Sequence, residues 1–375
     1  MMRTLANIFH LGVKELRSLR RDRAMLILVI WAFSVAIYSA ATSLPDSLAK
    51  APIAIVDEDR SAISTRIADA FYPPYFTAPV LISTGEMDRR MDEGSDTFAL
   101  VIPPDFQADL LAGRHPSIQL NVDATRISQA FTGAGYIQQI VTQEVAAFVA
   151  RYRALPDLPV ELVMRARFNP TLKEAWFGAV MELINNVTML SIILTGAALI
   201  REREHGTVEH LLVMPLRPFE IMVSKIWAMA LVVLAAAALS IALVIERWLA
   251  VPIEGSIGLF LAGTALHLFA TTSMGIFLAT LARSMPQFGL LIIITLLPLE
   301  MLSGGMTPQE SMPVFVQTIM QVAPTTHFVT LAQAILYRNA GFDVVWPQFL
   351  AIAAIGAALF TLALVRFRRT ITTMG

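Results

Sequence analysis

Six apolar segments, each near the length of a bilayer crossing, leave this chain few folds. They lie at about 24–44, 176–200, 221–245, 257–282, 286–303 and 347–366. A helix needs roughly 20 mainly apolar residues to cross the hydrocarbon of a membrane. The fifth segment is the shortest. Composition agrees with the segments: 15% of residues are charged and 56% hydrophobic, where soluble domains carry about 25% charged residues. The net charge of -1 gives no electrostatic case for nucleic acid. The absence of cysteine removes disulfides and thiolate metal sites, so a domain outside the cytoplasm has to fold on its core alone.

Lys and Arg flanking the spans set the orientation. With the N-terminus inside, the inner connections and tails hold 14 of them, from Arg3 through Arg201, Arg203, Arg217 and Lys225 to Arg369. The short outer connections hold only Arg247 and Arg338. Both termini are therefore expected inside. "YSAATS" at the end of the first span resembles a cleavage region, but the long basic flank and the long apolar run favour an uncleaved anchor. Before that anchor, Leu5, Ile8, Phe9, Leu16 and Leu19 recur at helical spacing, with Arg and Lys on the other face. This reads as a helix lying in the membrane interface; a plain charged flank is the simpler alternative.

Between the first two spans, residues 45–175 hold 12 basic and 17 acidic side chains, a net of -5. About 130 residues suffice for an independent core. "APIAIVD", "TFALVIP" and "SIQLNVDAT" read as strands. "SAISTRIADAFY", opened by Ser61, "PDFQADLLAG", bounded by Pro104 and Gly113, and a long segment loosened near Gly133 and Gly135 read as helices. Alternating strand and helix point to a small α/β domain. The expected fold class is thus mainly α: a six-helix transmembrane domain with an α/β extracytoplasmic domain inserted between spans one and two. "VDEDR" at 56–60 offers carboxylates for a metal, but no second ligand set accompanies it, and a turn capping the next helix is the expected role.

The sequence carries no phosphate-binding loop, no H-E-x-x-H and no G-x-S-x-G, so no catalytic constellation is visible. "LSGGM" at 302–306 closes an apolar span, where Gly304, Gly305, Pro308 and Pro313 read as a helix end.

The connection from Arg201 to Glu220, "REREHGTVEHLLVMPLRPFE", packs charge and two prolines between two spans. Thr207 can cap a short helix with Glu209 in its first turn. Val208, Leu211 and Leu212 give that helix an apolar side, and Pro215 stops it. Pro218 then restarts a helix, with Glu220 close behind. A helix of two turns is not stable alone, so it has to pack on a membrane face or a soluble partner.

This connection resembles the first cytoplasmic loop of ABC-2 type transport permeases, the membrane subunits of ATP-binding cassette exporters. The matching residues are Glu202 or Glu204, Gly206, Thr207, Glu209, Leu211 or Leu212, Pro215, Glu220 and Lys225. The segment from "MLSGGM" to "AILYR" is similar to the family's hairpin after its fifth span, and the resemblance covers essentially the whole chain. It implies a bacterial inner-membrane permease with residues 45–175 in the periplasm. It divides the chain into an interfacial helix over 1–23, a first span over 24–44, the periplasmic α/β domain, and spans two to six over 176–366. The last part holds the coupling loop 201–220 and an outer hairpin over 304–346; residues 367–375 form a cytoplasmic tail.

It further implies coupling to a cytoplasmic ABC ATPase subunit through Glu204, Gly206, Thr207, Glu209, Leu212, Pro215 and Glu220. ATP and Mg enter through that partner, and this chain binds no cofactor or metal and has no catalytic residue. A second copy or a sister permease would complete the path. A periplasmic membrane-fusion adaptor and an outer-membrane channel are implied in the same way. The expected substrate is a small or lipophilic molecule such as a drug.

Within the spans, Glu182, Asn185 and Asn186 share one region of the second span, and Glu300 ends the fifth. Polar groups there line a path or dimer interface, or simply hold helices together. Two other functions stay open at this point. One is a gradient-driven transporter with Glu182, His267 and Glu300 as relay groups. The other is a receptor or scaffold without transport.

Overall fold

In the computed structural model, which describes residues 2–43, 50–123, 127–152, 174–204, 216–307 and 309–372, the chain forms two compact units. One is built from both apolar parts of the sequence and the other from the segment between them.

The chain opens with α1 (Met2–Arg21), whose last turn carries Arg20 and Arg21, where the helix dipole favours cations. Asp22 separates it from α2 (Arg23–Trp31) and caps that helix by accepting from Met25 N at 3.1 Å. A π-helical turn (Ala32–Ala36) joins α2 to α3 (Ile37–Ser43).

The middle unit contains β1 (Ile53–Asp57), α4 (Ala62–Asp69), β2 (Val80–Leu81), α5 (Thr84–Asp92), β3 (Phe98–Ile102), α6 (Phe106–Leu111), β4 (Gln119–Val122) and α7 (Ile127–Tyr152). The sheet order is β2-β1-β3-β4; β1 pairs in parallel with β2 and β3, and β4 is antiparallel to β3. The two central strands are apolar and buried almost throughout, as expected for strands covered on both faces. Ser61 caps α4 in a reciprocal pair with Ser64. Gly113 follows α6 in a left-handed conformation, φ 79°. The carboxylate of Asp57 accepts from the backbone N–H groups of Asp59 and Arg60 and from Ser64 Oγ. The acidic "VDEDR" therefore serves the turn and cap, and no metal-holding cluster occurs among the described residues.

The other unit continues with α8 (Glu174–Glu204), α9 (Pro218–Ser240) and a π-helical turn (Ile241–Trp248). Then come α10 (Ile257–Leu281), α11 (Met285–Met301), α12 (Val314–Met320), α13 (Pro324–Arg338) and α14 (Phe342–Thr372). Five stretches are long and apolar enough to cross a membrane: Arg23–Thr42, Trp176–Glu204, Pro218–Trp248, Ile257–Leu281 and Phe342–Arg369. The fifth segment of the sequence, α11, has 17 residues. At about 1.5 Å per residue it falls a little short of a bilayer's roughly 30 Å of hydrocarbon. Gly304, φ 93°, follows its end, so "LSGGM" is a helix terminus.

The direction of the helices constrains the chain between α10 and α14. Gly263 near the start of α10 faces Phe349 near the start of α14, while Phe269 further along stacks on Phe360 at 5.4 Å. The two helices run parallel, so residues 282–341 have to carry the chain back, and α11 is the long apolar helix in that stretch.

Helix α8 is the hub, with 83% of its most apolar window buried. It approaches α10 closely: a Cβ on Gly275 would lie 2.6 Å from Ile192 O. Ser191 Oγ donates to Thr271 Oγ1 at 2.6 Å across the same contact. Small residues and hydroxyl pairs are the usual adhesive where apolar burial gives no gain. By contrast, only 17% of the corresponding window of α14 is buried. Ile27, Ile30, Leu290, Ile293, Ile294 and Leu350 all stand exposed. Surface this apolar is compatible with lipid or another apolar partner, not with water.

Candidate functional site

The loop between α8 and α9 is framed by charge at both ends. Lys225, two turns into α9, is 1% exposed. Its Nζ lies 3.0 Å from Glu15 Oε1 on α1 and 2.8 Å from Glu202 Oε2 at the end of α8. Lys14 Nζ reaches Glu202 Oε1 at 2.7 Å and Glu15 Oε1 at 3.8 Å. Two cations and two carboxylates thus form one neutral node that joins α1, α8 and α9. Burial pushes the Glu15 carboxyl above its ordinary value, and Lys225 works against that shift. Burial pulls Lys14 down, but the hydrogen bond to Glu202 and the charges of Glu202 and Glu15 together outweigh it and hold the ammonium above its ordinary value.

Packing around the node is close. Gly12 on α1 is needed because a Cβ there would meet the Trp227 ring at 2.1 Å. Phe9 stacks on that ring at 6.1 Å, and Trp227 Nε1 donates to Ile8 O at 3.2 Å. The helix read as interfacial therefore also lies against α9, with Glu15 and Leu19 turned inward and Leu5 and Phe9 left exposed. Arg201 pairs with Asp22 beside the node.

Of the residues expected to couple to a partner, Gly206, Thr207, Glu209, Leu212 and Pro215 lie outside the described residues. Glu204 is exposed, and its Oε1 accepts from Met285 N at 2.8 Å, which ties the end of α8 to the start of α11. Glu220 is 3% exposed. Its Oε2 accepts from Arg217 N at 3.1 Å and from Asn7 Nδ2 at 3.3 Å, so it caps α9 and holds α1.

Deeper in the unit, Asn186 Nδ2 donates to Ala32 O at 2.9 Å and to Glu182 Oε1 at 3.2 Å. Ala32 opens the π-helical turn, where the ordinary ladder is interrupted and a carbonyl needs an outside donor. Asn185 is half-buried one residue earlier. Glu300 at the end of α11 is also half-buried, close enough to Glu182 for their charges to interact. His267 is fully enclosed, 2.9 Å from Thr188 Oγ1 and stacked on Phe328 at 4.1 Å.

Sequence reasoning counted Lys14 and Lys225 only as charges that set the orientation, matched Glu202 and Lys225 to a pattern without seeing their pairing, and missed Glu15. The available signal was chemical: a lysine inside an apolar run needs a buried carboxylate, and Glu15 sits among the apolar positions of α1.

Residues 24–365 match the family described as ABC-2 family transporter protein. The chain is 64% identical over 373 residues to the inner membrane transport permease YhhJ of Escherichia coli K12, covering 100% of both chains. It is 30% identical over 365 residues to the probable multidrug ABC transporter permease YbhR of the same strain, covering 96% of this chain and 97% of that one. It is 28% identical over 337 residues to the probable multidrug ABC transporter permease YbhS of Escherichia coli K12, 87% of each chain.

Removing one member of a buried ion cluster strands the others, at a cost of about 3–5 kcal/mol. Lys225→Met is expected to lower the thermal midpoint of the purified chain by that measure. Without Lys225, Glu15 is held still further above its unfolded value. The folded form then binds more protons than the unfolded chain, and stability falls as pH rises through that range. The variant should accordingly melt at higher temperature near pH 5.5 than near pH 7.5, by about a few degrees, and adding Glu15→Gln should flatten this dependence. A melting point unaffected by Lys225→Met would refute the node.

Proposed function

The chain belongs to the ABC-2 family of transporters, and from that premise we propose that it forms the path of an ATP-driven exporter, worked by a separate ATPase. It is a membrane permease and not an enzyme, and an inner-membrane protein with several apolar helices. Membership implies association with an ATPase subunit and a permease partner.

The observation that carries the reading is the node at the two ends of residues 205–215. A loop that receives a push passes it on only if its ends are stiffly attached. Here Glu202 on one side and Lys225 on the other meet the same carboxylate–ammonium cluster, and Glu220 pins the second end to α1. In this reading Gly206, Thr207, Glu209, Leu212 and Pro215 form the part that meets the ATPase, with Glu204 at its edge. Glu220 belongs to the frame behind them. ATP binding in the partner moves the loop, and α1, α8 and α9 follow as one body. Nucleotide and Mg stay with the partner.

Six crossings complete the arrangement. The parallel course of α10 and α14 supports α11 as the return crossing; with six crossings both termini share one side, which the basic flanks of the spans assign in this reading to the cytoplasm, with residues 45–175 in the periplasm. Two permease copies, or this chain and a sister, line a path for a small or lipophilic molecule, with Glu182, Asn185, Asn186 and Glu300 at the path or at the contact between copies. A periplasmic adaptor and an outer-membrane channel would extend that route.

Because the chain has no cysteine, single cysteines report sidedness cleanly. A membrane-impermeant maleimide added to intact spheroplasts should label Ser117→Cys and spare Ser18→Cys; the reverse pattern contradicts the topology. For coupling, the chain reconstituted with its ATPase subunit should alter ATP hydrolysis. Glu209→Ala should weaken that effect by about tenfold, the equivalent of 1.4 kcal/mol, and Gly206→Pro should remove it while the chain stays folded. If neither variant differs from the unaltered chain, the loop does not couple.

A further inference from the structure

We propose that the α/β unit holds a lipophilic small molecule in the cleft between β4, α6 and α7. The cleft has a volume of about 780 Å³, within the range of roughly 300–1,000 Å³ typical of small-molecule sites.

Its origin lies in how α7 crosses the sheet. Gly133 lets the helix come down onto Phe98, where a Cβ would lie 2.2 Å from the ring. Further along, Glu144 is drawn towards α4 by Arg66, whose Nε and Nη2 donate to its Oε2 at 2.9 and 2.6 Å. The next face of α7 presents Val141, Val145 and Val149, one turn apart, over Leu120 on the edge strand β4. These valines and Leu120 are only half-buried, although Val141, Val145 and Leu120 pack against the buried core of the unit. Phe106 closes the inner end. Among the described residues the core is therefore left open along one side, with a concave apolar wall on either hand.

The polar groups lie around this apolar body. Arg114 and His115 follow α6, and Gln138 and Thr142 project from α7. Arg114 is already neutralised by Asp109, with Nε 2.7 Å from Oδ1. The rim thus offers hydrogen bonds around an arginine that is already paired. That chemistry suits an uncharged molecule with an apolar body and one polar end, and it disfavours an anion. The binding stands on the geometry of this unit alone; its use as a receiving site for exported compounds rests on the permease reading above.

Benzophenone, uncharged and photoreactive, is a direct probe. The full chain in detergent is irradiated with it, and the labelled peptides are located by mass spectrometry. Label is expected within 106–120 and 134–149. Ala146→Trp, on the exposed lip of the cleft, should reduce that label by about tenfold, a loss of 1.4 kcal/mol in binding. Ala147→Trp, one position round the helix and off the cleft, should leave it unchanged. Label elsewhere only, label insensitive to Ala146→Trp, or equal loss in both variants overturns the proposal. So does a cleft already blocked by a co-purified polypeptide. The measurement involves no ATPase and no transport, so its failure and that of the permease reading are distinguishable.

Discussion

A buried ammonium in an apolar helix sets the terms for the inner end of this molecule. Lys225 is 1% exposed, and an unpaired charge there would be lost to its neutral form or would pull water inward. Glu15 and Glu202 come to it from two other helices and supply the opposite charge. That requirement fixes where α1 lies. It explains Gly12, which lets α1 settle on Trp227, and Asn7, which finds Glu220. A helix that could have floated in the interface is instead bolted to the ends of two spans. In the proposed mechanism this attachment turns a push on a short loop into a movement of whole helices.

The rest of the helical unit follows a different logic. Once inside lipid, apolar burial no longer distinguishes one packing from another, so the contacts depend on fit and hydrogen bonds. Gly275 against Ile192, Ser191 with Thr271, and Asn186 at the π-helical turn are such contacts. The middle unit returns to ordinary water-soluble rules, with a buried parallel core around Ile55 and Leu100. Its open side is the cleft beneath α7.

Much of this could be read from residue order. Apolar runs revealed the long helices, and Ser61 and Gly113 marked helix ends that the structure contains. Other parts carried little signal. Helix α5 contains almost no apolar residues and buries none, and β2 is two exposed residues long, so neither has a periodicity to detect. The apolar run at about 286–303 corresponds to a helix over Met285–Met301, its end set by the Ser-Gly-Gly that follows. The charged node was hidden for another reason: Glu15 and Lys225 are 210 positions apart, and pairing at that distance is a property of tertiary packing. Sequence spacing put Glu220 just inside the start of α9, where its carboxylate caps the helix; its second bond, to Asn7 on α1, is a tertiary contact that spacing cannot show.

The central claim is that α1 and the start of α9 behave as one body. Spin labels at Ser18→Cys and Arg217→Cys, both exposed positions, measure this directly in the complex with the ATPase. The account predicts one narrow distance distribution that is the same with and without ATP, and a broadened one when Lys225→Met is added. A distance that shifts with ATP in the otherwise unaltered chain would mean that the two helices slide past each other, and would contradict it.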